Sequence, residues 1–135
     1  MRNIDTMTGT EFEQFVEKLF NTLDQDNIIR IDTPGGTGDQ GCDLIVRYKN
    51  GVILGIQCKR YAEKVNNKAV QEIVTAKAIY KLTDLMVVTN NHFLPSAIEA
   101  AKAHKVKLYD RGILIELLKR YRKVQAVNKN SNLSV

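Results

Sequence analysis

A chain of 135 residues suits one domain, and 44% hydrophobic with 26% charged residues is the composition of an ordinary globular protein, neither disordered nor fibrous. No apolar run is long enough for a bilayer and the opening MRNIDTMTGTEF lacks a signal-peptide core, so we expect a cytoplasmic chain with reduced cysteines and no membrane partner. Its 20 Lys+Arg against 15 Asp+Glu leave a net +5, a weak bias toward a polyanionic partner such as DNA.

Taken in chain order, residues 8–23 read as an amphipathic helix. Thr8 or Thr10 can cap it, and Phe12, Phe15, Val16, Leu19, Phe20 and Leu23 recur at helical spacing. Ile28–Thr33 alternates like a short strand and stops at Pro34-Gly35-Gly36. Cys42–Tyr48 and Val52–Lys59 read as two strands joined by Lys49-Asn50-Gly51. Asn67 caps a helix to about Lys81, with Val70, Ile73, Val74, Lys77 and Tyr80 on one stripe. Leu85–Thr89 is a buried strand, Pro95–His104 a helix, Val106–Tyr109 a strand and Ile113–Tyr121 a closing helix. The order predicts one α/β domain over residues 1–121, a central mixed sheet flanked by helices, with a frayed basic and polar tail at 122–135.

Charge is unevenly spread along this order. Residues 1–40 hold eight acids and three bases, residues 41–81 three acids and eight bases, and from Lys119 onward there are five bases and no acid. The basic middle also holds the chemistry-bearing residues. The segment Gly36-Thr37-Gly38-Asp39-Gln40-Gly41 spells G-x-G-x-x-G, but it runs into a strand instead of a helix and Asp39 would repel phosphate. It reads as a turn. Zinc is excluded too, because His92 and His104 pair with no cysteine motif.

The register of the two middle strands decides which side chains meet. A two-residue turn at Asn50-Gly51 would set Leu44 against Gln57, whereas a three-residue loop with Gly51 in the left-handed region sets Leu44 against Ile56, Val46 against Leu54 and Tyr48 against Val52. Apolar matching selects the second, since a one-residue slip inverts every side chain. Cys42 and Cys58 then face each other on the core side. Asp43 stands across from Gln57 on the other side, with Lys59 two residues further along.

A carboxylate and an amide oxygen are hard ligands suited to Mg²⁺ or Mn²⁺, and the Cys58 carbonyl could add a third oxygen. A lysine beside such an ion could orient or help deprotonate a water that attacks a phosphodiester. The same triplet also reads as a cross-strand Asp–Lys ion pair with a neighbouring amide. Gly55 on that face, the glycine-rich approach, Ile45 and Ile53 beside it, and the run Lys59-Arg60 favour the metal reading. Arg60, Lys64 and Lys68 are candidate phosphate contacts, and Tyr61 could touch the DNA backbone or stack on a base.

At these residues the chain resembles the Mrr-type restriction endonuclease domain of the PD-(D/E)xK nuclease superfamily. The resemblance rests on GTGDQGCDLIV, GIQCKRY, VQEIVTAKAIY and LMVVTNNHFLPSAIEAAKAHKVKLYDRGILIEL, and covers about residues 8–120. It implies a restriction-endonuclease-like fold and a metal-dependent DNA endonuclease. Asp43 would be the metal-binding aspartate, Gln57 the first position of a QxK variant and Lys59 the catalytic lysine. Glu13 matches a glutamate that approaches the metal, and Gln71 a polar position near the site. Cys42 replaces the superfamily's proline, and Gln57 removes one negative charge from the usual acidic position. A separate DNA-reading domain is absent from these residues, so a homodimer of catalytic domains, a junction-selective nuclease and a catalytically silent DNA-binding subunit are the alternatives.

Overall fold

The computed structural model describes residues 3–34 and 41–133, so Gly36–Gln40 with Asp39 lie outside the described residues. Helix α1 (Gly9–Leu23) begins at a capping box in which the Glu11 amide donates to Thr8 Oγ1 and the Thr8 amide donates to Glu11 Oε1, at 3.1 and 2.9 Å. Of the two candidate caps, Thr8 is the one used. Strands β1 (Ile28–Asp32), β2 (Leu44–Tyr48), β3 (Ile53–Lys59), β4 (Asp84–Thr89) and β5 (Val106–Tyr109) form one sheet in chain order. The first two pairings are antiparallel and the last two parallel. Parallel neighbours need a crossover, which α2 (Asn67–Tyr80) and α3 (Pro95–His104) supply before α4 (Arg111–Leu133) closes the chain.

The hairpin has the register chosen by apolar matching. Leu44 pairs with Ile56 and Val46 with Leu54, while the Tyr48 amide donates to the Val52 carbonyl at 2.9 Å. Gly51 holds the turn at φ +93°, a backbone conformation that costs glycine nothing. Both faces of the sheet are covered. Phe12, Val16 and Leu19 of α1 and Leu114 of α4 pack on Leu44, Val46, Leu54, Ile56, Met86 and Val88. Alanine-rich stripes of α2 and α3 pack on Ile45, Leu85 and Val87 on the other face.

Four expectations change. The cap of α2 is Asn66, whose side chain accepts from the Lys68 amide, and Asn67 is the first helical residue. The buried stripe of α2 is Ala69, Val70, Ile73 and Ala76, with Lys77 exposed, because small residues let the helix sit close to the sheet. Cys42 and Cys58 are both free thiols but lie on opposite faces, Cys42 among the α2 contacts and Cys58 against the α1 side. The ladder ends at Leu44–Ile56, so strand alternation no longer governs residue 42. Finally, α4 does not end at Tyr121 but continues to Leu133. No Gly or Pro follows Gly112, and a helix already nucleated on the core continues through residues of adequate propensity.

Among the described residues no helix is long and apolar enough to cross a membrane. The first described turn, Ile4–Thr6, is tied across the molecule. Arg111 Nη1 and Asn90 Nδ2 both donate to Asp5 Oδ1, at 2.7 and 3.0 Å. These hydrogen bonds, that from Arg111 first, hold the Asp5 carboxyl below its ordinary 3.8. A depressed carboxyl pKa stabilises the fold above the unfolded value and loses that effect as pH falls through the folded one. Asp5→Asn should therefore lower the melting temperature at pH 7 by up to about 4 °C yet change it little near pH 2. Equal shifts at both pH values would show that the ion pair is not the source.

Gly41 enters β2 at φ +80°, and a Cβ there would collide with the Glu72 carbonyl oxygen of α2. Gly41→Ala combines backbone strain with a clash against a helix that cannot yield, so urea denaturation should show a loss of at least about 2 kcal/mol. A variant within about 0.5 kcal/mol of the parent would mean that the segment simply moves aside.

Candidate active site

Beyond the last rung of the β2–β3 ladder the chain bends at Asp43. Its amide donates to the Ile56 carbonyl at 2.8 Å, and its Oδ2 accepts the Cys58 amide at 2.7 Å. The carboxylate is thus held by main-chain groups at the open end of β3. Glu13, half-buried on α1, lies close enough to Cys58 for its charge to act on that thiol. Burial first, then the negative charges of Asp43 and Glu13, push the Cys58 thiol well above its ordinary value. Burial likewise raises Cys42 to about 11, so both sulfurs are kept as neutral thiols near pH 7.

Gln57 and Lys59 share the α2 face of β3, as the register requires. Their common partner there is Glu72. Gln57 Nε2 donates to Glu72 Oε2 at 3.0 Å, and Lys59 Nζ pairs with the same oxygen at 3.5 Å. An ionised carboxylate only accepts hydrogen bonds, so the Gln57 amide has one orientation and its oxygen points away from Glu72. That oxygen is buried and has no hydrogen-bond partner among the described residues, in a residue only 2% exposed. A buried acceptor left unmatched costs about 1–3 kcal/mol, and a bound cation is one way to match it.

Lys59 is 15% exposed and its ammonium lies 5.6 Å from the Tyr61 ring centroid. Burial alone would depress it, but Glu72 and the Tyr61 phenol outweigh burial and hold the lysine above its ordinary value. It is a held cation, not a neutral amine, in this arrangement.

A hard cation fits these residues. Among the described residues no three His, Cys, Asp or Glu side chains converge on one point. A cation here would draw on the Asp43 and Glu13 carboxylates together with the Gln57 amide oxygen and main-chain oxygen such as the Cys58 carbonyl, a donor set suited to Mg²⁺ or Mn²⁺.

The outer residues divide between two cavities. Lys64 and Lys68 line the one that holds Lys59 and Glu72, about 300 Å³ in volume. Arg60 turns the other way, as the residue after Lys59 on a strand must, and lines a cavity of about 310 Å³ with Asp5, His92 and Arg111. Tyr61, 41% exposed, borders both. Gln71 is exposed on α2 and borders neither. The side chain that α2 sends into the site is its neighbour Glu72, which sequence reasoning missed. The signal was available: Glu72 is three residues from Ala69 and four from Ala76, on the border of the stripe of small residues that faces the sheet.

A family profile of Mrr-catalytic restriction endonucleases matches residues 4–118. Among solved structures, the DNA modification-dependent restriction endonuclease AspBHI shares the fold with a TM-score of 0.64 and 22% identity, over 92% of this chain and 35% of its own. MspJI restriction endonuclease, solved with a 27-mer oligonucleotide, gives 0.60 and 22% over 85% and 28%. A repair endonuclease from Pyrococcus abyssi gives 0.57 and 14% over 77% and 46%. This chain therefore spans about a third of the length of AspBHI. No curated protein matches it in sequence. The profile covers nearly the whole chain, which belongs to the Mrr-catalytic restriction endonuclease family.

Proposed function

We propose that this chain is a divalent-metal-dependent endodeoxyribonuclease that hydrolyses phosphodiester bonds by direct attack of water. The observation that carries this reading is the buried Gln57 oxygen without a partner among the described residues, next to a strand end where the Cys58 amide holds Asp43 and where Lys59 is kept charged. Asp43, Gln57 and Glu13, with the Cys58 carbonyl, would hold Mg²⁺ or Mn²⁺. When bound, the ion supplies Lewis-acid stabilisation of the charge on the phosphate oxygens and a more acidic water.

The rest is the work of the chain. Lys59 presents an ammonium to the reacting phosphate, where it orients the attacking water and offsets the charge that grows on the departing oxygen. The water oxygen bonds to phosphorus while one P–O bond to a sugar breaks, and the departing oxygen takes up a proton. No side chain is covalently modified. Lys64 and Lys68 meet neighbouring phosphates from the cavity of Lys59, and Arg60 does so from the other side of β3. Tyr61 lies between them as a surface for backbone or base, and exposed Gln71 belongs to the outer DNA surface in this reading. DNA is the proposed substrate class because MspJI was solved with an oligonucleotide and AspBHI is a DNA modification-dependent nuclease.

Incubation with supercoiled plasmid and with a four-way junction, each with Mg²⁺ or with chelator, tests the activity. We expect Mg²⁺-dependent nicking that falls at least about 100-fold in Asp43→Ala and in Lys59→Ala, with circular dichroism unchanged. Full activity in either variant, or nicking that survives the chelator, removes this reading.

The five bases from Lys119 onward lie on α4, and Arg122, Lys123 and Lys129 are exposed there. Deleting residues 122–135 should flatten the dependence of log binding constant on log salt by no more than about 3, since each phosphate contact contributes about 0.9. Nicking should persist. A deletion that stays folded yet cannot cut would assign the end of α4 to the chemistry.

A further inference from the structure

We propose that Glu72 is a positioning residue, which by accepting the Gln57 amide nitrogen turns the Gln57 oxygen toward the metal and so restores, one bond removed, the negative charge that the QxK motif lacks. This rests on the metal-dependent reading above. A glutamine is a poor substitute for an acidic ligand in two ways. It carries no charge, and its amide can rotate to offer an NH₂ group that repels a cation. Glu72 answers both. Its acceptor-only oxygen stands 3.0 Å from Gln57 Nε2 and leaves the amide a single favourable orientation. Its charge reaches the first ligand through that hydrogen bond, as outer carboxylates do when they raise the basicity of a metal ligand.

The carboxylate is itself held in place. Glu72 projects from the middle of α2, beside Ala69, Val70, Ile73 and Ala76, which are buried on the sheet. Its main chain touches Gly41, where any side chain would collide with its carbonyl. Lys59 Nζ, 3.5 Å from the same oxygen, limits its rotation from the second side. A merely structural Glu72 would need Lys59 alone. The bond to a nearly fully buried Gln57, whose oxygen lacks a partner among the described residues, is what a merely structural role leaves unexplained.

A double-mutant cycle on the full chain tests this, read by Mn²⁺ binding in electron paramagnetic resonance without DNA and by plasmid nicking alongside. Glu72→Ala should weaken Mn²⁺ binding by about 10–100-fold, the usual effect of losing an outer-shell partner. Glu72→Gln keeps an acceptor oxygen for Gln57 and should lose at least about threefold less. In a Gln57→Ala background, Glu72→Ala should cost no further affinity, because the residue it acts through is gone. Thermal melting of every variant checks that each is folded. Three results overturn the proposal: Mn²⁺ affinity unchanged in Glu72→Ala, an equal loss from Glu72→Ala with and without Gln57, or Glu72→Gln as weak as Glu72→Ala, which would make Glu72 a direct ligand. If the parent chain binds and cuts while Glu72→Ala does the same, only the role of Glu72 fails. If the parent chain neither binds Mn²⁺ nor cuts, the nuclease reading fails with it.

Discussion

The three-residue turn Lys49-Asn50-Gly51 determines which residues of β2 and β3 share a face, and every later feature of the site inherits that choice. With Leu44 opposite Ile56, the alternate residues Gly55, Gln57 and Lys59 point to α2. A slip of one residue would bury Gln57 and Lys59 among Phe12, Val16 and Leu114 and would turn Ile56 toward Glu72. The penalty is large because both faces are covered: apolar groups would meet a carboxylate while an ammonium met a hydrocarbon core. The site is therefore protected by the same burial energy that holds the fold together. Glycine at position 51 is the small local condition on which that depends.

Much of this was legible in the residues themselves, and the limits are physical. Helix α1, helix α3 and strand β5 are strongly periodic or sharply bounded, and the structure agrees with their expected spans to within a residue. The common face of Gln57 and Lys59 followed from apolar matching in the opposite parity. Asp43 escaped the same reasoning, because the ladder ends one residue earlier and hydrogen bonds to Ile56 and Cys58 take over from strand geometry. Glu72 escaped for a different reason. Its spacing from Ala69 and Ala76 separates it from Gln71 beside it only once those alanines are known to reach the sheet. The last turns of α4 carry almost no apolar signal, so their helicity comes from propensity and continuity instead of pattern.

The net charge of +5 likewise resolves into local pairings. Arg111 is matched to Asp5, Arg47 and Arg30 to Asp32, and Lys59 to Glu72. These pairs fasten elements to one another or hold a side chain at the site, and a count of bases along the sequence does not separate them from bases that face solvent. Lys64, Lys68, Lys123 and Lys129 are exposed. The acid-rich first forty residues matter for the same reason: they bring Glu13 beside Cys58 and Asp5 beside Arg60, near the end of the strand that closes at Lys59.

The contact between Gly41 and the main chain of Glu72 has a mechanical consequence. Asp43 lies two residues after Gly41, and Glu72 grips the amide of Gln57. The Gln57 amide is thus held by α2, and the Asp43 carboxylate by β3 through the Cys58 amide. The main chains of Gly41 and Glu72 pack so closely that no methyl group fits between them, so the approach to Asp43 and the helix turn that carries Glu72 are seated against one another. In the proposed nuclease, one glycine would thereby tie the segment that carries one cation ligand to the helix turn that orients the other.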